Sequence, residues 1–485
     1  MRSIFCALIL STLCSPLLAY QPLAFDDYFL DATMRIDYFH TGDSTEETVA
    51  IDQIYRQGLW AGNPNSLIDT FDLGLYCAKL YDINSNRIIF SQGFSSIFAE
   101  YKTTAPARAG TKMTYHESAI LPYPRYPALF VLEKRNTQNL LTPVFTTRID
   151  PDSVNIINEA PNSADELITL FHNGSPHDKV DFVFISEGYT AAELDKFKSD
   201  VRKYSDLMFT TEPFKTRKSD FNVSAVFRPS SESGVDEPTK GIFKNTALSA
   251  SYNALDLPRY LLIDDNKALR DTASHIPYDR IIVIANTPRY GGGGIYNNYC
   301  IFSADDARSP ATFLHEFGHS FACIADEYFN ASVAYTDYYP KGVEPLEANI
   351  TALLDPENVK WKHLLSPGIE IPTPWGQDEI QTLNDTKQAI EQKLTARLND
   401  LPADSPKAQK LRKQLNARKD KIDKQIQSVR QEYLAKYKGR IGVFEGAGYT
   451  AKGLYRSEIA VGFFTDSHYN TVSTEAITRL IDSCT

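Results

Sequence analysis

From Phe25 to Ile149 apolar and polar residues alternate in short runs: Met34-Arg-Ile-Asp-Tyr-Phe39, Phe71 to Tyr81, Arg87-Ile-Ile-Phe90 and Ala128-Leu-Phe-Val-Leu-Glu133. Alternation with a period of two marks strands buried on one face, and the Asn, Gly, Pro and Thr between the runs mark turns. No long helical period intervenes. An antiparallel β-sandwich over residues 20–152 is the expected packing, and it contains no catalytic constellation.

Beyond Asp152 the pattern changes. Asp181-Phe-Val-Phe-Ile-Ser186 is a continuous apolar strand, and Thr190 caps a helix running to about Met208. Strands are expected at Phe221–Phe227, Arg280–Ala285 and Ile295–Ser303, with a helix over 257–272 and Gly291–Gly294 leading into the last strand. A further helix starts near Ser309-Pro310, since Pro suits the first helical turn. This is an α/β layout over residues 153–485. Within it, residues 377–438 read as an insertion. Ile380, Leu383, Ile390, Leu394 and Leu398 keep one face, as do Leu411, Leu415, Ile422, Ile426, Val429 and Tyr433. Leu401-Pro-Ala-Asp-Ser-Pro406 separates them, so an antiparallel helical hairpin is expected. The whole reads as an α+β multidomain protein.

Composition narrows the picture. The 485 residues are 42% apolar and 23% charged, as in an ordinary globular protein of two or three domains. A net charge of −11 argues against nucleic acid as a partner. The hairpin runs the other way, with 14 Lys/Arg against 9 Asp/Glu, which suits either solvated outer faces or a docking element for an acidic partner. Residues 1–19 carry Arg2, an apolar run from Ile4 to Leu13 and Ala19, the signature of a secretory signal peptide. The expected location is therefore secreted, periplasmic or cell-surface. No later stretch is apolar enough to span a bilayer. Past the leader, Cys77, Cys300, Cys323 and Cys484 allow disulfides without compelling them. Asn173, Asn222, Asn330, Asn349 and Asn384 begin Asn-x-Ser/Thr triplets that matter only in a glycosylating host.

The strongest chemical signal is His315-Glu316-Phe317-Gly318-His319. Two imidazoles four residues apart share one helix face and can bind one Zn²⁺, while the Glu between them is placed to move a proton. A hydrolytic zinc needs a third protein ligand. Asp326 and Glu327 are the candidates, but on an unbroken helix Asp326 would stand about 16 Å further along. The helix must end soon after His319 and the chain must fold back, across Ser320-Phe-Ala-Cys-Ile-Ala325, which contains no Gly. His275, His363 and His468 read as structural or surface residues.

Several blocks resemble the IgA-peptidase family of metallopeptidases, relatives of the metzincins. They are Phe313-Leu-His-Glu-Phe-Gly-His-Ser-Phe321, Ala325-Asp-Glu-Tyr328, Asp181 to Thr190, Ser231 to Asp236, Tyr290 to Tyr296 and Glu445-Gly-Ala-Gly-Tyr449. The resemblance covers roughly Asp178 to Tyr455, and the preceding β region is similar to the family's amino-terminal domain. It implies one zinc held by His315, His319 and Asp326, with Glu316 as base, acting on a protein or peptide substrate. Two departures stand out. Ala322 and Cys323 occupy positions where the family usually has Gly, and no Met follows Met208 to lie beneath the metal. Phe463 is the residue expected to form that floor instead.

Three readings of function follow: an exported zinc metallopeptidase, a non-catalytic binding or adhesion protein that kept the scaffold, and a zinc amidase acting on cell-wall peptides or glycoconjugates. For the first, the strand Ile295–Ser303 is expected to pair with an extended substrate. Tyr328 and Tyr455 are candidate donors to the oxyanion, though in a chain with 27 Tyr each reads first as a packing residue.

Overall fold

The protein is described from a computed structural model over residues 23–485, apart from 161, 330–332, 336–337, 400, 403–404 and 466; the expected leader, residues 1–19, and Asn330 lie outside the described residues. Among the described residues it is an α+β protein with several sheets. The amino-terminal strands are β1 (Phe29–Gly42), β2 (Glu47–Arg56), β3 (Tyr76–Asp82), β4 (Ile88–Phe94), β5 (Met113–Pro124), β6 (Ala128–Arg135), β7 (Leu141–Ile149) and β8 (Ile157–Asn158). Short helices α1 (Phe25–Tyr28), α2 (Ile97–Tyr101) and α3 (Ala105–Arg108) punctuate them.

Two four-stranded sheets result, ordered β5–β1–β2–β8 and β4–β3–β6–β7. Their pairings are antiparallel except β2 with β8, which is parallel. Alternate residues of each sheet meet in one core: Met34, Ile36 and Tyr38 of β1 pack in the same cluster as Tyr76, Ala78 and Leu80 of β3. The opposite face of β1 carries Arg35 and Asp37, both buried, and Arg35 reaches Asp271, far along the chain, at 2.7 Å. A buried ion pair of this kind fixes how the two parts of the chain meet more than it stabilises either one.

In the second part the strands are β9 (Glu166–Phe171), β10 (Val180–Glu187), β11 (Phe221–Phe227), β12 (Ala250–Tyr252), β13 (Leu261–Ile263), β14 (Arg280–Ala285), β15 (Gly292–Ile295) and β16 (Tyr299–Ser303). Six of them form a sheet ordered β15–β16–β14–β10–β11–β9. Its inner four strands are parallel, with antiparallel β15 and β9 on the edges. Helices α4 (Leu194–Met208), α5 (Asn266–Ala273) and α6 (Ser309–Ala322) accompany it. Before α4, the Glu193 carboxylate reaches back to accept the Thr190 N–H at 2.8 Å.

Two expectations need correction. The helix expected over 257–272 is only α5, because Leu261-Leu-Ile263 is fully buried as β13 against β12, and Asp265 then caps α5 by accepting from Ala268 N at 2.9 Å. The strand expected over Ile295–Ser303 is broken by a turn in which Asn297 has φ +53°, so the glycines form β15 and hairpin onto β16. They are not a loose approach to a strand; they are the edge strand.

Further along lie β17 (Ile350–Thr351), α7 (Gln377–Asn399), α8 (Pro406–Tyr437), β18 (Phe444–Ala447), β19 (Thr450–Arg456) and α9 (Thr471–Cys484). Leu394 packs on Leu411 and Leu415, and Ile380 on Ile426 and Val429, so α7 and α8 run back along each other. Among the described residues no helix is long and apolar enough to cross a membrane. Cys77, Cys300, Cys323 and Cys484 are unpaired thiols. Asn222 and Asn349 are buried and hydrogen-bonded, so their triplets are closed to modification in the folded protein.

At the far end of the sheet from α6's cleft face, Asp181 N donates to the Asp279 carboxylate at 2.8 Å. Burial pushes both carboxyls up; the neighbouring Asp279 charge adds to this for Asp181, which reaches about 8, while Arg280 partly offsets it for Asp279, which reaches about 6. The folded state thus holds a proton that the unfolded chain releases near pH 4. Stability is therefore lost as pH rises from about 4 to 8. Asp181→Asn keeps the acceptor for Asn222 Nδ2 and should flatten that slope, gaining on the order of 1–2 kcal/mol at pH 8. Urea unfolding at pH 5 and pH 8 checks this; an unchanged slope rejects it.

Candidate metal centre

The sequence of α6 divides its surface into two jobs. Phe313, Phe317 and Phe321, spaced four apart, enter the core beneath the sheet, where Phe317 meets Phe182 edge-on at 5.2 Å. The neighbouring face carries His315, Glu316 and His319 into a cleft of about 120 Å³. Glycines let the neighbours come close. A Cβ on Gly318 would stand 2.7 Å from the Phe463 ring, and one on Gly294 would stand 2.1 Å from the Glu316 carbonyl oxygen.

The required reversal occurs without Gly. Cys323 takes the left-handed conformation (φ +50°, ψ +42°) just past the end of α6, donating its N–H to His319 O, while Ile324 N donates to Gly318 O. This is a Schellman-type ending with a cysteine in the position glycine favours, at a backbone cost of about 1–2 kcal/mol. It has a direct consequence for the site: Ile324 O comes within 2.5 Å of His319 Nδ1. Accepting that N–H leaves Nε2 as the free ligand atom.

The chain then delivers Asp326, 5% exposed, to both rings. Its Oδ1 lies 3.2 Å from His315 Nε2 and 3.4 Å from His319 Nε2, and the two nitrogens are 3.1 Å apart. Donors on a tetrahedral ion with bonds of roughly 2 Å are about 3.3 Å apart, so the trio matches one face of such a site. The donor set is also right in kind. Asp326 Oδ1 is buried with no hydrogen-bond partner, as a ligand oxygen aimed at a cation should be. Burial opposes charge on both sides of this contact, yet the imidazoles hold the Asp326 carboxyl well below the usual range, and Asp326 lifts His319 to about 9. A divalent ion bound by these residues would take the place of that proton.

The other oxygen of Asp326 is held. Tyr328 and Tyr449 donate to Oδ2 at 2.6 and 2.7 Å. Tyr449 sits with Gly448 in a two-residue turn between β18 and β19, both with positive φ, as a type I′ hairpin requires. That turn docks by backbone as well: Gly448 N donates to Asp326 O and Tyr449 N to Tyr328 O. Tyr449→Phe should weaken divalent-metal affinity 10- to 100-fold, because ligand orientation rather than ligand number is lost. Competition with a chromogenic chelator measures this; an unchanged affinity rejects the role.

Glu327, the alternative ligand, points elsewhere. It is fully buried and accepts from Asn349 Nδ2 at 3.0 Å and Asn470 Nδ2 at 2.8 Å, and burial pushes its carboxyl up to about 7. Asn349 also clasps both backbone groups of Ala325, so this pair shapes the turn that presents Asp326.

Glu316 lines the same cleft. Burial raises its carboxyl above the usual range, and the two imidazoles partly offset this. Phe463, fully buried, stacks on His315 at 4.6 Å and meets His319 edge-on at 5.0 Å, so a ring does form the floor. Of the candidate oxyanion donors, Tyr328 spends its hydroxyl on Asp326, and Tyr455 packs in the cluster around Trp361, as the packing reading had it. His275 pairs with Asp165 and His363 with Glu475, neither at the site.

The sequence reading missed two participants. Tyr449 lay inside a noted block without a role, although Gly-Tyr between two strand-like runs is a readable hairpin turn. Glu100, on α2 in the amino-terminal part of the chain, also lines the cleft, and nothing in its local sequence announces this.

A family model described as IgA Peptidase M64 matches residues 168–481, and one described as Peptidase M64 N-terminus matches residues 24–146. No curated protein matches the chain.

Proposed function

The chain belongs to the IgA peptidase M64 family and is a peptidase by that membership, and from this premise we propose that it is an exported zinc metalloendopeptidase with Glu316 as its base. The observation that carries the reading is the convergence of His315, His319 and the unpartnered Asp326 oxygen, with Glu316 in the same cleft. Zinc bound by this trio supplies a Lewis acid that acidifies water and polarises the scissile carbonyl. Glu316 accepts the proton of the attacking water and passes it to the leaving nitrogen, a task its raised carboxyl suits. Tyr328 and Tyr449 hold Asp326, and Phe463 keeps both imidazoles in place from below.

Tyr260 bridges Gly292 on the outer side of β15, so only the rest of that rim, beside the helix of the two imidazoles, is left for an extended peptide to add to by main chain, tolerant of sequence. The paired sheets of the amino-terminal part act as a β-sandwich that walls the cleft. The α7–α8 hairpin exposes a basic surplus suited to an acidic partner. Export rests on the leader. A non-catalytic scaffold was suggested by the absent glycine and methionine; Cys323 and Phe463 occupy those roles, which supports an active site.

The test is metal content and turnover of the leaderless protein. One zinc per chain is expected, with casein hydrolysis abolished by chelation and restored by zinc. Zinc-free protein that refuses zinc and cleaves nothing would overturn the proposal.

A further inference from the structure

The wall of the cleft opposite α6 is built partly by the other domain. Gly74, Leu75, Ser95 and Glu100 line it, and the arrangement is tied down on both sides. Ser95 N donates to Tyr296 O at 2.9 Å, Asn297 Nδ2 donates to Gly93 O at 2.9 Å, and Thr104 bridges Tyr335 as a single β-bridge. Helix α2 is itself braced: Ser96 caps it through Ala99 N, Phe98 N donates to Glu117, and the Phe98 ring stacks on His40 at 3.9 Å. Glu100 is therefore held in a fixed place relative to the metal ligands.

Its electrostatic situation is unusual for its domain. Glu47, Glu133 and Asp37 are each paired with a cation, at 2.5 Å to Lys134, 2.6 Å to Lys79 and 3.1 Å to Arg35. Among the described residues Glu100 accepts the Tyr335 hydroxyl, at 2.6 Å, and the positive charge that acts on it comes from His319 across the cleft, which Arg259 also lines, rather than from a paired side chain of its own domain. Glu347, which accepts from Tyr339 at 3.1 Å, is a second carboxylate on the same cleft, and the rings of Tyr260, Tyr335 and Tyr338 lie around them. Carboxylates and phenol faces both attract cations.

We propose that Glu100, reaching over from the amino-terminal domain, makes the cleft selective for substrates that carry an ammonium or guanidinium group close to the scissile bond. The inference rests on the peptidase reading and deepens it. A half-buried carboxylate without a paired counter-ion is costly, and a cationic substrate group removes that cost on binding. Burial pushing the Glu100 carboxyl up to about 7 is the mark of that cost. The cation has two sources: the amino terminus of a peptide or a Lys/Arg side chain within it.

The experiment separates them in the zinc-loaded, full-length Glu316→Gln protein, where binding is read without turnover. Three peptides of one sequence, each with a carboxy-terminal fluorophore, are compared by anisotropy. One has a free amino terminus and no basic residue, one is acetylated with a single Lys moved along it, and one is acetylated with norleucine for Lys. At least one cationic peptide is expected to bind about tenfold more tightly than the neutral one, the size of one charge-assisted contact. The ratio should fall to about one in Glu316→Gln/Glu100→Gln. Preference for the free terminus identifies the α-ammonium, and preference for Lys the side chain. Equal binding of all three in the single variant overturns the inference, as does a preference that survives in a folded double variant. Failure of the wild type to hydrolyse any peptide would instead defeat the peptidase reading, and it leaves this binding comparison readable.

Discussion

Glu316→Gln should lower kcat/KM on a peptide substrate by about 10²- to 10⁴-fold, with zinc content and thermal midpoint unchanged. The carboxamide fills the same space but cannot accept a proton, so the loss isolates proton transfer from metal binding. Since burial raises the Glu316 carboxyl, activity of the wild type should fall on the acid side as the base form is lost. That acid limb should be absent from the residual activity of the variant. Activity within tenfold of wild type would remove Glu316 from the role of base. Loss of zinc together with activity would show only that the site had come apart.

Gly294→Ala should be the most damaging single methyl addition near the site. The new Cβ would lie 2.1 Å from the Glu316 carbonyl oxygen and 3.0 Å from His319 Cβ, and the first of these is backbone of α6, which cannot swing aside. Either β15 lifts from the helix or the helix slides, and both imidazoles ride on it. Destabilisation of about 3 kcal/mol or more is expected, with activity lost in proportion to the shift. Gly58→Ala is the control: a Cβ there meets nothing within 4 Å, so its effect should stay within about 0.5 kcal/mol. Urea unfolding of both variants decides the matter, and equal stabilities would mean that β15 and α6 are not the close-packed pair described.

What could be read from residues alone was whatever depends on spacing along one element. His315 and His319 needed only a helix, the strands of the first domain only alternation, and the apolar faces of α7 and α8 only a helical period. Contacts between distant segments were harder. Asp326 was left beside Glu327 as a choice because neighbours in sequence differ only in which way the turn presents them, and Asn349 and Asn470, far along the chain, hold Glu327 away from the imidazoles. The left-handed Cys323 runs against local preference and is tolerated because the cap bonds around it over-determine the turn. The break between β15 and β16 hid in an apolar run, where a turn made by Asn297 leaves the hydrophobic pattern almost intact. Glu100 was invisible because it sits on five helical residues inside a β region, and its partner is a tyrosine 235 positions away.

A benzene ring under the two imidazoles has a chemical consequence. Thioethers take up oxygen from peroxide and become polar, swollen sulfoxides, whereas phenylalanine has no sulfur to oxidise. Phe463 therefore gives the two imidazoles an underside that oxidants leave unchanged in shape.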